Sequence, residues 1–194
     1  MRTEDENQEL KRISETLYKD KWVSLMVAKD QKRKIFGYTY SHETRCNGDI
    51  VAFLPYKETL LGPSILFRFE ATPCWDIDRI CMSSFTGGVD LGMGIEETVL
   101  KELSEESGYE IKEPDLINLG KMYGIKSSDS IYHLFTMNLT GIEPSKDLEV
   151  ETELEKTSYC GWKILEPSLH SDDAIANALL FKIISKLNLF KNYR

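Results

Sequence analysis

The chain has 194 residues and a formal net charge of −8, with 41% hydrophobic and 29% charged residues, which is the composition of an ordinary globular domain and excludes a disordered chain. The acidic balance argues against a broad grip on a nucleic-acid backbone, because that affinity comes from Lys and Arg side chains. No apolar run approaches the roughly 18–20 residues of a membrane span, and residues 1–6 lack the apolar core of a signal peptide, so we expect a cytoplasmic protein.

The first third of the chain predicts one helix followed by paired strands. Residues 6–20 are polar, with apolar side chains at helix-like intervals, and predict an amphipathic helix. Two β-rich runs at 22–27 and 35–40 flank a charged turn and predict a hairpin. The short apolar runs at 49–55 and 63–69 predict core strands.

The rest of the chain predicts a short charged helix at 95–107 and a closing helix at 172–187, with strands between them. Gly108 suits the left-handed position that ends the first helix, and Ser171 is the predicted N-cap of the second. The predicted strands are at 117–123, 131–139 and 159–164. Together the elements predict a mixed α/β (α+β) fold in which a mixed β-sheet is sandwiched between helices.

The charged helix turns three carboxylates toward the protein. At about 100° per residue, its apolar stripe consists of Ile95, Val99 and Leu103. Glu106 projects into that stripe, Glu102 lies about 20° outside it, and Glu105 lies farther round on the same side. Carboxylates this close and partly desolvated repel one another unless a cation neutralises them, and Mg²⁺ and Mn²⁺ prefer such oxygen ligands. A solvated charged helix is the alternative that angular placement alone leaves open.

Residues 87–109 resemble the Nudix box, G-x5-E-x7-R-E-U-x-E-E-x-G-U, where U is aliphatic or aromatic, without a gap. The positions that match the pattern are Gly87, Glu102, Leu103, Glu105, Glu106, Gly108 and Tyr109. Met93 stands where the family has its first glutamate, and Lys101 replaces the arginine that helps to orient the metal-binding glutamates. The resemblance therefore implies a metal-dependent Nudix hydrolase with a weakened loop and a weakened support for its ligands.

The loop at residues 87–92 looks like that of ADP-ribose pyrophosphatase-like members, and a looser resemblance covers residues 17–165. It implies Mg²⁺ or Mn²⁺ held by Glu102, Glu105 and Glu106 with help from the Gly87 backbone. It also implies a homodimer, with residues 1–45 as a helix and strand extension used for dimerisation and residues 46–194 as the Nudix hydrolase domain.

The reaction that the resemblance implies is hydrolysis of the diphosphate bond of a nucleoside diphosphate linked to another moiety, with ADP-ribose or a nucleotide sugar as the first choice. Either Glu105 or Asp129 would take the proton of the attacking water. The candidate substrate-binding residues are Arg68, Trp22 and Lys101. Three of the candidate residues also have a purely structural explanation. Arg68 could form a surface salt bridge, Trp22 could be a core or interface side chain, and Asp129 could be a turn former.

Further acidic and histidine side chains are weaker candidates. One carboxylate of an alternating set could complete the metal site or supply the base, although a solvated strand face explains the same pattern; the set is Glu151, Glu153 and Glu155. His133 and His170 are possible acid–base groups without an obvious carboxylate partner, and a core or edge role is the alternative for His133.

Two other functions remain open. The changes at Met93 and Lys101 are compatible with a Nudix-fold nucleotide-binding or regulatory module that has lost efficient catalysis. An isomerase of the isopentenyl diphosphate type shares the fold and uses a cysteine, for which Cys74 or Cys81 would be the candidates. The four cysteines are widely spaced and lack a C-x-x-C pair, which favours reduced structural thiols.

Overall fold

The computed structural model describes residues 10, 12–145, 155–166 and 168–188. Two α-helices have both ends in these ranges, α1 (Ile95–Ser107) and α2 (Ala174–Leu187), Leu10 and Arg12 are also helical, and short 3-10 helices lie at Glu113–Asp115 and Glu155–Thr157. The strands are β1 (Ser14–Lys19), β2 (Val23–Asp30), β3 (Ile35–Glu43), β4 (Asp49–Phe53), β5 (Tyr56–Thr59), β6 (Gly62–Ala71), β7 (Ile80–Ser83), β8 (Phe85–Gly88), β9 (Leu116–Tyr123), β10 (Ile131–Met137) and β11 (Tyr159–Ile164).

The predicted hairpin, the helices predicted at 95–107 and 172–187 and the longer strands are confirmed, but the amphipathic helix expected at residues 6–20 is wrong over its second half. Residues 14–19 form β1, which pairs antiparallel with β2 from Ser14 opposite Ala28 to Lys19 opposite Ser24. Pairing with an existing hairpin supplies hydrogen bonds along the strand, and this tertiary partner outweighs a weak local helix preference. The predicted helix residues 6–9 and 11 lie outside the described ranges.

The strands form three sheets. β1, β2 and β3 form an antiparallel sheet. The second sheet has the order β8-β4-β10-β9 and is mixed, because β4 and β10 run parallel while the outer pairs run antiparallel. The third has the order β11-β6-β5, and β7 pairs with β6.

The mixed sheet has a helix on each face. Val51 and Phe53 in β4 belong to the apolar cluster that contains Val99 and Leu103 of α1. Ala52 and Leu54 belong to a second cluster that contains the buried residues of α2. Because successive strand residues point to opposite faces, the two helices pack on opposite sides of the sheet. The mixed α/β class is therefore confirmed.

The cap of α2 differs from the prediction. Asp173 is the N-cap, and its side chain accepts a hydrogen bond from the backbone N–H of Ile175 at 2.8 Å. The same carboxylate accepts from the N–H and hydroxyl of Ser84, at 2.9 and 2.6 Å. Ser171, the predicted cap, instead accepts from the N–H of Asp173 and donates to the carbonyl of Met82. Asp is as good a cap as Ser, and here it also ties the helix to the segment between β7 and β8.

The division between residues 45 and 46 stays a prediction; β3 ends at Glu43 and β4 begins at Asp49 on either side of it. In the described part of the chain, neither helix is long and apolar enough to cross a bilayer.

Candidate functional site

Helix α1 begins and ends at glycines that fix its position against β8. Gly94 is the N-cap, and its N–H donates to Oε2 of Glu97 at 3.2 Å. Gly108 has φ 72°, and its N–H donates to the carbonyl of Ser104 at 3.0 Å, as predicted for a left-handed helix end. Val99 and Leu103 are fully buried, so the predicted apolar stripe faces the core.

Glu102 lies directly against the backbone of Gly87 in β8. A Cβ atom placed on Gly87 would lie 2.3 Å from both Cδ and Oε1 of Glu102. No side chain larger than hydrogen fits between them, because ordinary carbon contacts need roughly 3.5–4.0 Å. A side chain at residue 87 would therefore displace the Glu102 carboxylate, so glycine there lets this carboxylate lie against the sheet.

Glu106 is held by a buried arginine from β6. Nη1 of Arg68 lies 3.1 Å from Oε1 of Glu106, and its Nε donates to Glu70 at 3.0 Å. Nη2 of Arg68 donates to the hydroxyl of Ser158 at 3.2 Å. Arg68 is only 5% exposed. Its guanidinium is thus committed to protein groups, and this geometry favours a supporting role over the predicted contact with substrate.

Glu105 has a looser partner. Nζ of Lys101 lies 3.6 Å from Oε2 of Glu105, one helical turn away, and both side chains are partly exposed. A partly exposed pair of this kind stabilises by only about 0.3–0.5 kcal/mol. Lys101 therefore neutralises one carboxylate without fixing its orientation firmly.

The donor set suits a hard divalent cation in its chemistry, but its arrangement is not a finished metal site. Glu102, Glu105 and Glu106 are half-buried oxygen donors on one helix, and the space over Gly87 admits one of them. Among the described residues no group of three or more acidic, histidine or cysteine side chains is already arranged to hold an ion. Arg68 and Lys101 are bonded to two of the three carboxylates, so a cation would have to compete with these contacts.

Asp129 lies at the same end of the mixed sheet as the glycine loop. Gly88 at the end of β8 pairs with Ile50 in β4, and Ile131 at the start of β10 pairs with Asp49 in the same strand. β8 and β10 flank β4 and are therefore two strand spacings apart, roughly 10 Å. Asp129, which precedes β10, therefore lies at this end of the sheet. It is distant in sequence from α1.

Each of two histidines is bonded to a carboxylate at this sheet end. Nδ1 of His42 lies 3.1 and 3.0 Å from the two carboxylate oxygens of Asp129. Nε2 of His133 lies 2.7 Å from Oδ1 of Asp49. His133 is buried in β10, in agreement with the core role that the sequence left open, and its carboxylate partner comes from the neighbouring parallel strand β4 rather than from nearby in sequence. His170 is exposed and bonds to the carbonyl of Ser168.

Trp22 is half-exposed and in contact with two cations. Nζ of Lys21 lies 4.7 Å from its ring centroid, and Cζ of Arg45 lies 5.3 Å from the centroid. Arg45 also lies against Gly88, where an added Cβ would come within 3.0 Å of Nη2. The role of Arg45 was not predictable from the sequence, because its position depends on how β3 and β4 are connected in space.

The weaker candidates lie partly outside the described residues. Glu151 and Glu153 lie outside the described residues, and Glu155 begins a 3-10 helix instead of continuing a strand. Cys81 is buried and Cys74 is exposed. Neither the set of acidic residues nor the cysteines gains support as part of one site.

Cys160 is a reduced thiol beside the end of α1. Its Sγ donates to the carbonyl of Glu106 at 3.1 Å. Burial raises the pKa of this thiol to about 12, so it is protonated and unreactive at neutral pH. It contributes packing rather than nucleophilic chemistry.

No protein-family model matches the sequence, and no curated protein matches it. The structure, by contrast, is similar to one described as the crystal structure of an ADP compounds hydrolase. The TM-score is 0.65 at 16% sequence identity, and the match covers 90% of this chain and 91% of the other. At this identity the likeness shows a shared fold over nearly the whole chain.

Proposed function

We propose that the chain is a metal-dependent hydrolase of the Nudix type that cleaves the diphosphate bond of a nucleoside diphosphate linked to another moiety. The single observation that carries the proposal is the fit of the Glu102 carboxylate over Gly87, with Glu105 and Glu106 on the same half-buried part of α1. The fold shared with an ADP compounds hydrolase supports it. ADP-ribose or a nucleotide sugar is the first substrate to test.

Glu102, Glu105 and Glu106 would hold Mg²⁺ or Mn²⁺, which when bound supplies positive charge for the diphosphate and an activated water. The chain itself contributes position and a base. Gly87 keeps the Glu102 carboxylate close to the sheet, and Arg68 orients Glu106. Glu105 or Asp129 would accept the proton of the water. The hydrogen bond with His42 would hold the Asp129 carboxylate in place in the loop before β10.

The test is turnover of ADP-ribose with and without Mg²⁺ or Mn²⁺, with AMP and ribose 5-phosphate identified as products. Glu106→Gln should reduce turnover by orders of magnitude while the protein stays folded. Glu96→Gln, at the other end of the same helix, is the matched control and should keep wild-type turnover. Unchanged turnover in Glu106→Gln would refute the mechanism.

A nucleotide-binding or regulatory module with weak catalysis is the second candidate. It is favoured by the engagement of Glu105 with Lys101 and of Glu106 with Arg68. Thermal stabilisation by nucleotides without product formation would support this candidate. In that case Met93→Glu combined with Lys101→Arg tests whether the departures from the box are the cause.

The homodimer also remains a proposal, and the three-stranded sheet is the surface that suits it. Exposed apolar side chains on β1, β2 and β3 include Leu17, Tyr18, Leu25 and Phe36. Light scattering on the purified protein measures the mass directly. Leu25→Lys should shift a dimer toward monomer, whereas a monomeric wild-type protein would contradict this part of the proposal.

A further inference from the structure

A cavity of about 320 Å³ lies along the edge strand β8. Arg45 and Glu43 line one side, Thr72 and Trp75 of the segment between β6 and β7 line another, and Gly88 is part of the wall. The volume is at the lower end of the range of roughly 300–1,000 Å³ found for small-molecule sites. It suits one nucleoside better than a complete substrate with two sugars.

The cavity borders residues that position two of the α1 carboxylates. Gly87 contributes to its wall, and the Glu102 carboxylate rests against that glycine. Glu70 also lines it and is bonded to Arg68, which in turn contacts Glu106. A molecule in this cavity would therefore lie next to the residues that position the proposed reaction centre.

Charge decides how a nucleotide would be oriented in the cavity. Among the described lining residues Arg45 is the one cation, and the carboxylates there are Glu43, Glu70 and Asp173. An ionised phosphate placed among those carboxylates would be repelled, whereas a ribose hydroxyl or a base amine can donate hydrogen bonds to them. The phosphate would therefore lie beside Arg45, whose guanidinium can bind it with two parallel hydrogen bonds.

Trp75 supplies a face for the base. It is 50% exposed although it is a large aromatic residue. Its backbone is held in a turn, because the N–H groups of Trp75 and Asp76 both donate to the carbonyl of Thr72, at 2.9 and 3.1 Å. A partly exposed indole carried by an ordered turn on a cavity wall is suited to stacking on a nucleobase.

We propose that this cavity binds the nucleoside monophosphate half of the substrate, with Trp75 stacked on the base and Arg45 on the adjoining phosphate. The inference rests on the proposed function, since it assigns a place to one half of that substrate. Trp75 and Arg45 would thereby set the preference for a nucleotide over a simple sugar phosphate.

The experiment measures binding of AMP and of ribose 5-phosphate by calorimetry without added metal. Trp75→Ala should weaken AMP binding about ten-fold or more and leave ribose 5-phosphate unaffected, and Trp75→Phe should restore most of the affinity. Arg45→Gln should weaken both ligands, with partial recovery in Arg45→Lys. Phe181→Ala on the exposed side of α2 and Arg33→Gln in the β2–β3 turn are matched controls expected to bind like the wild type.

The cavity proposal and the proposed function can fail separately. If ADP-ribose is hydrolysed with an unchanged KM in Trp75→Ala and Arg45→Gln, the cavity assignment is overturned and the hydrolase stands. If AMP binds and the two variants weaken it, yet no substrate is hydrolysed, the cavity assignment stands and the hydrolase is overturned. Equal melting temperatures for the variants and the wild type ensure that lost binding reports the site.

Discussion

Replacing Gly87 by alanine tests whether the position of the Glu102 carboxylate matters. The added methyl would lie 2.3 Å from Cδ and Oε1 of Glu102 and 2.4 Å from Cγ. Carbon atoms at van der Waals contact are roughly 3.5–4.0 Å apart, so the carboxylate must move by more than about 1 Å. The clash involves the end of a flexible side chain, which can rotate away while the backbone stays in place.

The geometry predicts a large loss of activity with a small change in stability. Gly87 does not adopt a left-handed backbone, so alanine brings no backbone strain there, and the three atoms nearest to its Cβ all belong to the Glu102 side chain. Restricting the unfolded chain gains roughly 0.4–1 kcal/mol, which offsets part of the cost of moving Glu102. Misplacing a catalytic group by about 1 Å can reduce turnover by about 100-fold. We therefore expect about 100-fold lower turnover and a change in unfolding free energy within about 1 kcal/mol.

Three measurements test this prediction. They are the rate of ADP-ribose hydrolysis at saturating Mg²⁺, the melting temperature as Mn²⁺ is titrated, and the free energy of unfolding in urea. Gly94→Ala is the control, because an added Cβ there meets only ordinary contacts, at 3.7 Å from Cβ of Glu97 and 3.8 Å from its Oε2. It should keep most of the activity. Wild-type turnover and Mn²⁺ response in Gly87→Ala would show that Glu102 need not be where the structure has it.

Three further outcomes follow from the contacts around α1. Arg68→Met should lower the free energy of unfolding measured in urea by about 3 kcal/mol, which is the low end for breaking a buried ion pair because the Glu106 side chain is 19% exposed. A loss under about 1 kcal/mol would contradict this prediction. Arg68→Lys should recover part of the lost free energy. Lys101→Arg should raise turnover several-fold, since a guanidinium can replace the single 3.6 Å contact to Glu105 with a bidentate one; equal or lower turnover would count against that role. Iodoacetamide at pH 8 should label the exposed Cys74 but spare Cys160. The pKa of Cys160, about 12, leaves about one thiol in ten thousand as thiolate at this pH. Rapid labelling of Cys160 in the folded protein would disprove its burial.

Local sequence patterns predicted the elements whose partners are nearby in the chain. The 3.6-residue periodicity and the terminal glycine defined α1, because a helix forms its hydrogen bonds within itself. The β2–β3 hairpin was equally clear, since its strands flank a short charged turn. β1 was mistaken for a helix because its hydrogen bonds come from β2. The four-residue strands β5, β7 and β8 were missed, because so short a run shows no period.

The candidate site was predictable only along α1. The spacing of its carboxylates follows from helix geometry, but their partners come from strands distant in sequence. Arg68 was selected as a contact for substrate, and the register of β6 against β11 places it beside Ser158 and Glu106 instead. Arg45 and Trp75 come from separate segments of the chain, and both line the cavity beside β8. Such contacts depend on sheet order, which no local pattern encodes.

The contacts of Arg68 bear on the departures from the box motif. With Lys101 in the helix, Glu105 has only a 3.6 Å contact, so its orientation is weakly determined within α1. Glu106 has a shorter contact, 3.1 Å, to a guanidinium that is itself held by Glu70 and Ser158. A side chain fixed by two partners loses little entropy when it orients a third group. The orientation of the carboxylates therefore depends on β6 as well as on α1, and a change of Arg to Lys within the helix need not abolish it.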